Sequence, residues 1–359
     1  MKLVKVQEGN VKIDVPDFDD SEGPKGKGED VFYNPSMEKS RDIFISFLKK
    51  WADEDVRLLD GMAASGIRGI RALKETAISD VTMNDVSEEA VDLIQENVNK
   101  NSVQSDINHG SIEKHMLKKR YEYDYIDIDP FGTPVPYYPI AARTVSHKGV
   151  VGVTATDTAV LCGTYPKTCF RRYSSDPANN WCRHENGLRI LIGYCAREAA
   201  RHNRWIKPLL SYYEGHHFRT YLKIGEGKSR ADECLKKLER MNFYEGKWDR
   251  DTQNVEKTSG PFWTGKICSK DILGGLKPIG KLDKDLISLW KRESNHSAFF
   301  YDTNKLSSIL NVAPPPIDDI MKGLSERGFK SSRTHFSSTG IKTDAPYEEL
   351  KNIFLSLSS

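Results

Sequence analysis

Residues 125–132 combine a short apolar run with side chains that could hold a planar substrate. The apolar residues predict a buried strand that ends at Asp129 and is followed by Pro130 and Phe131. An aromatic ring can stack on a flat heterocycle, while a carboxylate and a nearby backbone carbonyl accept hydrogen bonds from an exocyclic amine. These residues therefore predict a pocket for a flat ring that carries an amino group.

A second candidate site lies upstream, where a predicted strand ends in Asp60 and Gly61 and a helix follows. The turn has neither the G-x-G-x-x-G pattern of dinucleotide sites nor the Lys-Ser/Thr pair of a phosphate-binding loop. Asp85 ends the next predicted strand, where an acidic side chain is suited to bind ribose hydroxyls. S-adenosylmethionine has such hydroxyls but no phosphate, so these acids favour a methyl donor. An Asp-Gly pair alone is ordinary turn chemistry, and the donor interpretation depends on the order of both motifs.

Both sites depend on strands and helices that alternate along the chain. Apolar runs predict five strands, at 56–60, 81–85, 106–110, 123–128 and 149–154. Helices are predicted at 66–75, 87–99 and 185–204, and an antiparallel pair at 209–214 and 217–223. This alternation indicates a doubly wound, Rossmann-like α/β sheet, in which ligands bind at the carboxyl ends of the strands. All the motifs above fall at such ends.

Two domains are predicted, residues 1–226 and residues 227–359. The first begins with a weakly alternating hairpin and a glycine-rich loop at 21–28, and Asn34-Pro35 then starts an amphipathic helix. For the second we predict a helix at 230–241, a loop-rich stretch at 246–280, helices at 282–293, 303–310 and 316–327, and a strand at 329–333. The last elements resemble a winged helix-turn-helix, so a smaller α+β domain is expected.

The composition excludes several classes of protein. The chain has 359 residues, 38% of them hydrophobic, and a net charge of +2. It has no signal-peptide pattern and no run of 18 apolar residues, so we expect a soluble, cytoplasmic protein without membrane contact. None of the six cysteines forms a CxxC pair. We therefore expect reduced structural thiols and no metal site.

A basic segment spans residues 165–207. It holds nine Lys or Arg residues and only three acids, together with Phe170, Tyr173, Trp181 and Trp205. Basic side chains among aromatic rings suit a polyanion with stackable bases. The alternative is an ordinary solvated helix face.

These features favour methylation of a nucleobase amine. Such an amine is a poor nucleophile because its lone pair is delocalised into the ring. Asp129, with a carbonyl near Pro130, could accept the N–H protons, and Phe131 could fix the plane of the base. Proximity and alignment would supply much of the remaining rate. A base in folded RNA must leave its stack to reach such a pocket.

The chain resembles the tRNA (guanine-26, N2) dimethyltransferases, especially the archaeal branch, over nearly its whole length. The matching stretches are residues 31–35, 41–42, 59–71, 84–85, 129–132, 184–185, 187–191, 208–211, 260–265, 333–336 and 340–346. The resemblance implies a class I S-adenosylmethionine-dependent methyltransferase domain and a family-specific C-terminal tRNA-binding domain. It also implies methylation of N2 of guanine 26 to the monomethyl and dimethyl forms. We expect a monomer.

The resemblance also implies roles for individual residues. Those that would contact the donor are Arg41, Arg68 or Arg71, Asp85, Ser111 and Ile112, beside the turn at Asp60 and Gly61. Those that would surround the guanine are Phe32, Asp129, Pro130 and Phe131.

Three departures from the family pattern stand out. Ser40 occupies a position that is often Asn, and Ser111 one where many members have an acid. Many members also carry paired CxxC zinc motifs, but residues 244–262 contain no cysteine. No zinc is therefore expected, and Ser111 does not supply the acid that would contact the adenine amine.

Two other functions compete with this interpretation. One is a methyltransferase for another amine, such as adenine N6 or a guanine of ribosomal RNA, because acid-Pro-aromatic turns serve those reactions too. The other is an RNA-binding factor without enzymatic activity, for which the donor motifs would have no purpose. For Arg333, His335 and Lys342, tRNA contact and a structural role in the C-terminal domain stay open.

Overall fold

The computed structural model describes residues 2–17, 31–250 and 258–358. Its strands are β1 (Leu3–Glu8), β2 (Val11–Pro16), β3 (Arg57–Asp60), β4 (Asp80–Asp85), β5 (Asp106–His109), β6 (Tyr125–Ile128), β7 (Val150–Ala155), β8 (Arg204–Glu214), β9 (His217–Glu226), β10 (Leu238–Tyr244), β11 (Lys247–Asp249), β12 (Ser259–Trp263), β13 (Tyr301–Asp302), β14 (Ser331–Thr334) and β15 (Ser337–Thr343). Its helices are α1 (Glu38–Trp51), α2 (Ile67–Glu75), α3 (Glu88–Lys100), α4 (Ile112–Lys118), α5 (Tyr138–Thr144), α6 (Thr158–Leu161), α7 (Pro166–Tyr173), α8 (Arg183–Ala200), α9 (Lys228–Leu235), α10 (Lys270–Gly275), α11 (Lys284–Glu293), α12 (Thr303–Leu310), α13 (Ile317–Glu326) and α14 (Tyr347–Leu357).

A seven-stranded sheet forms the centre of the molecule, in the order β5-β4-β3-β6-β7-β9-β8. Strands β3 to β7 are parallel, while β9 is antiparallel to both β7 and β8. Every residue of β6 and β7 is buried, as expected for parallel strands that are covered on both faces. The doubly wound sheet predicted from the sequence is confirmed, and the ends of its five parallel strands shift by only one or two residues.

The strand order reverses beside β3, whose neighbours are β4 on one side and β6 on the other. From β3 the chain continues to β4 on one side, and from β6 it continues to β7 on the other side. A crevice therefore opens between the loops that follow β3 and β6. Such a switch point is where open α/β sheets bind their ligands. The loops that carry Gly61 and Asp129 are therefore neighbours at this edge.

The predicted starts of the early helices are confirmed by their caps. Ser87 caps α3 by accepting a hydrogen bond from the Ala90 amide at 3.2 Å. Asn34 accepts one from the Ser36 amide at 2.9 Å and caps a short 3-10 helix (Pro35–Met37) that leads into α1. The hairpin of β1 and β2 is present as predicted. The glycine-rich loop at 21–28 lies outside the described residues.

Two predictions for the second half need correction. The helix predicted at 230–241 is wrong beyond Leu235, because Leu238 begins β10 and pairs with Trp263 of β12. Pairing across the sheet thus outweighs local helix propensity. The stretch at 246–280, predicted to be loop-rich, contains β11, β12 and α10.

The C-terminal residues form a compact unit with the element order of a winged helix-turn-helix. Helices α12 and α13 precede β14 and β15, and the three-stranded sheet has the order β13-β15-β14. The two helices were predicted from the sequence, whereas β15 and the final helix α14 were not. The sequence of α13 carries Asp318, Asp319 and Glu326, so this helix is acidic.

Among the described residues, three apolar clusters hold these elements together, the smallest of which consists of Val31, Ala90 and Leu93. A large core runs from Val11 of the hairpin to Phe336, and it includes Met241 and Trp263 from beyond residue 226. A small second core lies within residues 306–354. The domain boundary at residues 226 and 227 stays a prediction. All six cysteines are buried and free, and burial raises the pKa of Cys169 to about 12.

Candidate active site

The site is centred where β3 and β6 lie side by side. Asp60 pairs with Asp127 in the register, so the turn after β3 faces the turn after β6. The Gly61 amide donates to the Asp127 carbonyl at 3.2 Å. A Cβ atom on Gly61 would lie 2.6 Å from that carbonyl oxygen, and only glycine permits so close an approach. The structure thus brings the two predicted sites together.

Asp85, at the end of β4, anchors the predicted donor turn. Its Oδ2 accepts a hydrogen bond from the Ala64 amide at 2.8 Å, and its Oδ1 accepts one from the Ser87 amide at 3.1 Å. The neighbouring Asn84 donates to the Gly61 carbonyl at 2.9 Å. Asp85 is half-buried, and the two backbone amides hold its carboxylate at the carboxyl end of β4.

Two of the predicted donor residues lie in a buried ion network beneath the turn. Arg71 is fully buried, and its guanidinium pairs with Asp42 at 2.8 Å, with Glu75 at 2.8 Å and with Glu8 at 3.4 Å. Arg41 donates to the same Glu8 at 2.8 Å. These contacts fix α1 and α2 against β1.

Asp60 is also buried and supports the turn from below. Its Oδ2 accepts a hydrogen bond from the Gly69 amide at 3.1 Å. Burial, reinforced by the negative charge of Asp127, raises the pKa of Asp60 to about 7. A carboxyl that is partly protonated near neutral pH adds little charge to the crevice.

Arg68 links the donor side to the acceptor side. Its Nη2 donates to Asp129 Oδ2 at 2.7 Å, and its guanidinium lies over the ring of Phe44. The other terminal nitrogen, Nη1, is buried and has no hydrogen-bond partner in the described part of the chain. A buried donor without a partner is costly in a native protein, so a ligand acceptor at Nη1 would satisfy it.

The acceptor side consists of Asp129, Pro130 and Phe131, as predicted. The Asp129 side chain is 23% exposed. Burial alone would raise the pKa of Asp129, but Arg68 and Arg219 outweigh it and hold the pKa below its usual value. Asp129 is therefore a carboxylate at neutral pH, ready to accept hydrogen bonds.

Phe131 follows the buried Pro130 and is 52% exposed, an unusual state for a phenyl ring. Phe32 meets it edge to face, with the ring centroids 4.7 Å apart. The Gly132 amide donates to Thr156 Oγ1 at 2.6 Å and fixes the loop behind the rings. A Cβ on Gly132 would meet no atom within 4 Å, which shows that this side of the loop is open. The two rings thus border a space beside Asp129.

Ser111 and Ile112 lie at the start of α4. Ser111 accepts a hydrogen bond from the Lys114 amide at 3.3 Å, as a helix cap, and donates to Glu113 at 2.6 Å. Ile112 is buried, and its Cδ1 would lie 2.9 Å from a Cβ on Gly61. Ile112 therefore packs directly against the donor turn.

Two further features of the site escaped the sequence analysis. Arg219 of β9 forms a fully buried ion pair with Asp127, directly beneath Asp129. His217 is 4% exposed, and its Nε2 has no partner. It lies near enough to Asp129 to help lower that residue's pKa. The only signal in the sequence was the His216-His217 pair at the start of a predicted strand, which does not reveal where that strand is paired.

Neither a metal-binding cluster nor a membrane-spanning helix occurs in the part of the chain that the structure describes. In it, no cluster of three or more His, Cys, Asp or Glu side chains is arranged to hold a metal ion. In the same residues, no helix has the length and apolar character needed to cross a bilayer.

The strand order and the crevice at the switch point define a class I methyltransferase fold with an additional C-terminal unit. The family model for N2,N2-dimethylguanosine tRNA methyltransferases matches residues 9–355. The chain belongs to this family, and the resemblance seen in its motifs is confirmed.

Known relatives cover the chain almost from end to end. The tRNA (guanine(26)-N(2))-dimethyltransferase of Pyrococcus abyssi is 36% identical, over 99% of this chain and 100% of the relative. The enzyme of the same name from Thermococcus kodakarensis is 35% identical, over 98% of this chain and 100% of the relative. The solved complex of Trm1 from Pyrococcus horikoshii with S-adenosyl-L-methionine has a TM-score of 0.88 at 33% identity, and covers 98% of this chain and 99% of that one.

Proposed function

We propose that this chain transfers one or two methyl groups from S-adenosylmethionine to N2 of guanine 26 in tRNA. One observation carries the proposal: a carboxylate and an exposed aromatic ring, Asp129 and Phe131, lie beside the turn at Gly61 in the same switch-point crevice. The full-length similarity to enzymes with this name supports the choice of substrate and of position.

The residues beside the turn fit S-adenosylmethionine. The half-buried Asp85 suits the ribose hydroxyls, and Ile112 offers an apolar wall for the adenine. Arg68 Nη1, which is buried and unpaired, suits the carboxylate of the methionine part. When bound, S-adenosylmethionine supplies an electrophilic methyl group on its sulfonium.

Of the two arginines left open by the sequence, Arg68 is the better candidate for donor contact. The three guanidinium nitrogens of Arg71 all contact carboxylates of the protein. Arg68, in contrast, has one nitrogen, Nη1, without a partner among the described residues. We assign Arg71 and Arg41 to the support of the turn through Glu8.

The acceptor residues hold the guanine and its N2 protons. Phe131 stacks on the base and sets its plane, while Phe32, whose ring is nearly perpendicular to that of Phe131, borders the pocket. The Asp129 carboxylate accepts a hydrogen bond from N2–H, which returns electron density to the nitrogen as it becomes tetrahedral. Because Asp129 is ionised at neutral pH, it can also take the proton that N2 releases.

The remaining assignments extend this proposal to the whole chain. Residues 227–359 form the tRNA-binding part, and the enzyme acts as a monomer. We place it in the cytoplasm, because its substrate is a soluble RNA and no described helix suits a membrane.

The test is a time course with an unmodified tRNA transcript and donor labelled in the methyl group. Digestion to nucleosides and chromatography should yield N2-methylguanosine first and N2,N2-dimethylguanosine later. A matched transcript with adenine at position 26 should stay unlabelled. Label in adenosine, or equal label in both transcripts, would contradict the proposal.

A further inference from the structure

The outer face of α7 forms an exposed surface of mixed aromatic and basic character, which we call the α7 strip. It consists of Tyr165, Lys167, Phe170 and Arg171. The rings of Tyr165 and Phe170 are 57% and 53% exposed. A single exposed ring is common on protein surfaces, but two exposed rings on one short helix beside basic side chains are a candidate interaction patch.

The charge of the α7 strip has one sign. The sequence contains no Asp or Glu between residues 158 and 175, while it places Lys167, Arg171 and Arg172 on this helix. Arg172 is paired with Asp157 at 3.0 Å, whereas Lys167 and Arg171 have no carboxylate partner among the residues that the structure describes. Such a surface complements a polyanion.

Two other cations of the basic segment, Arg189 and Arg204, are buried and not available for this purpose. Arg189 is buried and donates to Glu185 and to the Trp263 carbonyl. Arg204 is buried and donates to the carbonyls of Ala142 and Val145. Arg183, Arg201 and Lys207 are exposed, but the exposed rings of the basic segment, Tyr165 and Phe170, both lie at α7, so this helix is where exposed cations and exposed rings occur together.

The inner face of α7 is fastened to the acceptor loop. The Tyr173 hydroxyl lies 2.7 Å from Thr133 Oγ1 and donates to Asp157 Oδ1 at 2.7 Å. Thr133 lies two residues after Phe131, and the Asp157 amide donates to the Gly132 carbonyl at 3.2 Å. The α7 strip is thus rigidly tied to the loop that carries the exposed Phe131.

We propose that the α7 strip binds the RNA strand next to the target guanine, with Phe170 and Tyr165 stacked on bases and Lys167 and Arg171 on phosphates. The inference rests on the proposed function and extends it to the neighbouring nucleotides. A base that leaves its stack exposes the faces of its neighbours, and aromatic side chains can cover those faces. Unpaired or distorted RNA, rather than a regular duplex, is the chemistry that this surface recognises.

The aromatic half of the α7 strip is tested by binding of unmodified tRNA to Phe170→Ala. We expect the Kd to rise about tenfold, the order of effect of losing one stacked base. Phe170→Leu keeps apolar bulk but lacks the ring, and it should lose nearly as much. The matched control is Tyr121→Ala, an exposed ring between α4 and the amino end of β6 and thus away from the crevice at the carboxyl ends of the strands, which should bind as the wild type does.

The basic half is tested by salt dependence. Lys167→Ala combined with Arg171→Ala should reduce the slope of log Kd against log salt by about one for each residue. Lys118→Ala, on the exposed end of α4, is the control and should leave the slope unchanged. Calorimetry with S-adenosylmethionine should give wild-type affinity for every variant, which shows that each is folded.

The outcomes separate this inference from the proposed function. The proposal that the α7 strip binds RNA is overturned by two results together. Phe170→Ala and Phe170→Leu would bind tRNA as tightly as the wild type, and the double variant would show an unchanged salt slope. If the wild type forms no methylguanosine but binds tRNA through these residues, the proposed function fails and the binding surface stands.

Discussion

At the scale of single residues, Asp129 is the side chain on which the chemistry depends. Arg68 holds it by donating to Oδ2 at 2.7 Å, and together with Arg219 it keeps the carboxylate charged within a partly closed site. Its position combines two needs, since it must be rigid and must still reach a substrate amine. The pair with Arg68 meets the first need, and the exposed quarter of the side chain meets the second.

Asp129→Asn should therefore impair catalysis more than binding. An amide is a weaker acceptor and cannot take a proton, so we expect the rate of single-turnover methylation to fall about 100-fold or more. The Kd for S-adenosylmethionine should change by less than about threefold, because the amide oxygen can still accept the hydrogen bond that holds Arg68 in place. Asp124→Asn, at the other end of β6, is the matched control and should keep its rate. Equal rates for the two variants would remove Asp129 from the mechanism.

His217 predicts a pH dependence of stability. Burial lowers its pKa to about 4, whereas an unfolded histidine titrates near 6.5. Between these values the unfolded chain binds more protons than the folded one, so this residue reduces stability as pH falls from 6.5 to 4. Its contribution amounts to about 3 kcal/mol over that interval. Urea denaturation across this range should show a shallower pH dependence for His217→Gln. An identical dependence in both proteins would contradict the buried, neutral state.

The sequence predicted the residues of the acceptor pocket but not their partners. Asp129 and Phe131 were recognisable because they follow one apolar run directly. The contacts of Arg68 and His217 depend on which strands lie side by side, and β6 meets β3 across an intervening stretch of more than 60 residues. Local patterns do not encode such pairings.

At the scale of elements, the close approach of β3 and β6 is the tightest constraint on the site. Gly61 sits where any side chain would strike the Asp127 carbonyl and Ile112. The backbone carbonyl belongs to a buried strand and cannot yield, so a substituent must push the two strands apart. The donor turn and the acceptor turn would then separate as well.

Gly61→Ala should consequently destabilise the fold by about 1–3 kcal/mol, the usual cost of overfilling a packed site. Urea denaturation measures this loss, and weaker donor binding should accompany it. Gly274→Ala provides the control, because its Cβ would meet no atom within 4 Å and it lies in α10. That change should be neutral or gain up to about 1 kcal/mol from helix propensity. Gly61→Ala as stable as Gly274→Ala would disprove the close approach.

Elements with a strong local period were predicted well, and elements defined by partners were not. The helices α2, α3 and α12 agree closely with their apolar spacing. The segment after Leu235 has a sequence compatible with a helix, yet it pairs with β12 because Met241 and Leu238 pack beside Trp263 and α8. The pattern of one segment contains no information about pairing with a distant segment.

At the scale of the whole molecule, a buried charge network joins α8 to the C-terminal unit. Glu185 of α8 accepts from Arg189, from the Phe299 amide at 2.8 Å and from Lys342 at 2.6 Å. Glu293 of α11 pairs with His335 at 2.6 Å, and although burial opposes it, this partner lowers the pKa of Glu293 to about 2. These contacts give His335 and Lys342 a structural role, whereas Arg333 is exposed and pairs with Asp318.

Lys342→Met should accordingly weaken the attachment of the C-terminal unit. Removing one partner leaves Glu185 buried with less compensation, a change that typically costs about 3–5 kcal/mol. Thermal unfolding should show the loss, and Glu185→Gln in the same chain should restore part of it. The control is Lys322→Met on the exposed surface of α13, which should change stability by less than about 1 kcal/mol. Equal melting curves for both lysine variants would refute the network.

Because all six thiols are free and buried, their reaction with alkylating reagents can report local unfolding of the chain. Alkylating reagents attack thiolates, and burial raises the pKa of Cys182 and Cys268 to about 12. The folded protein should thus resist iodoacetamide, and each cysteine should become alkylated only when its own region unfolds. Mass spectrometry of partly alkylated protein would then rank the regions by their opening rates without any engineered label.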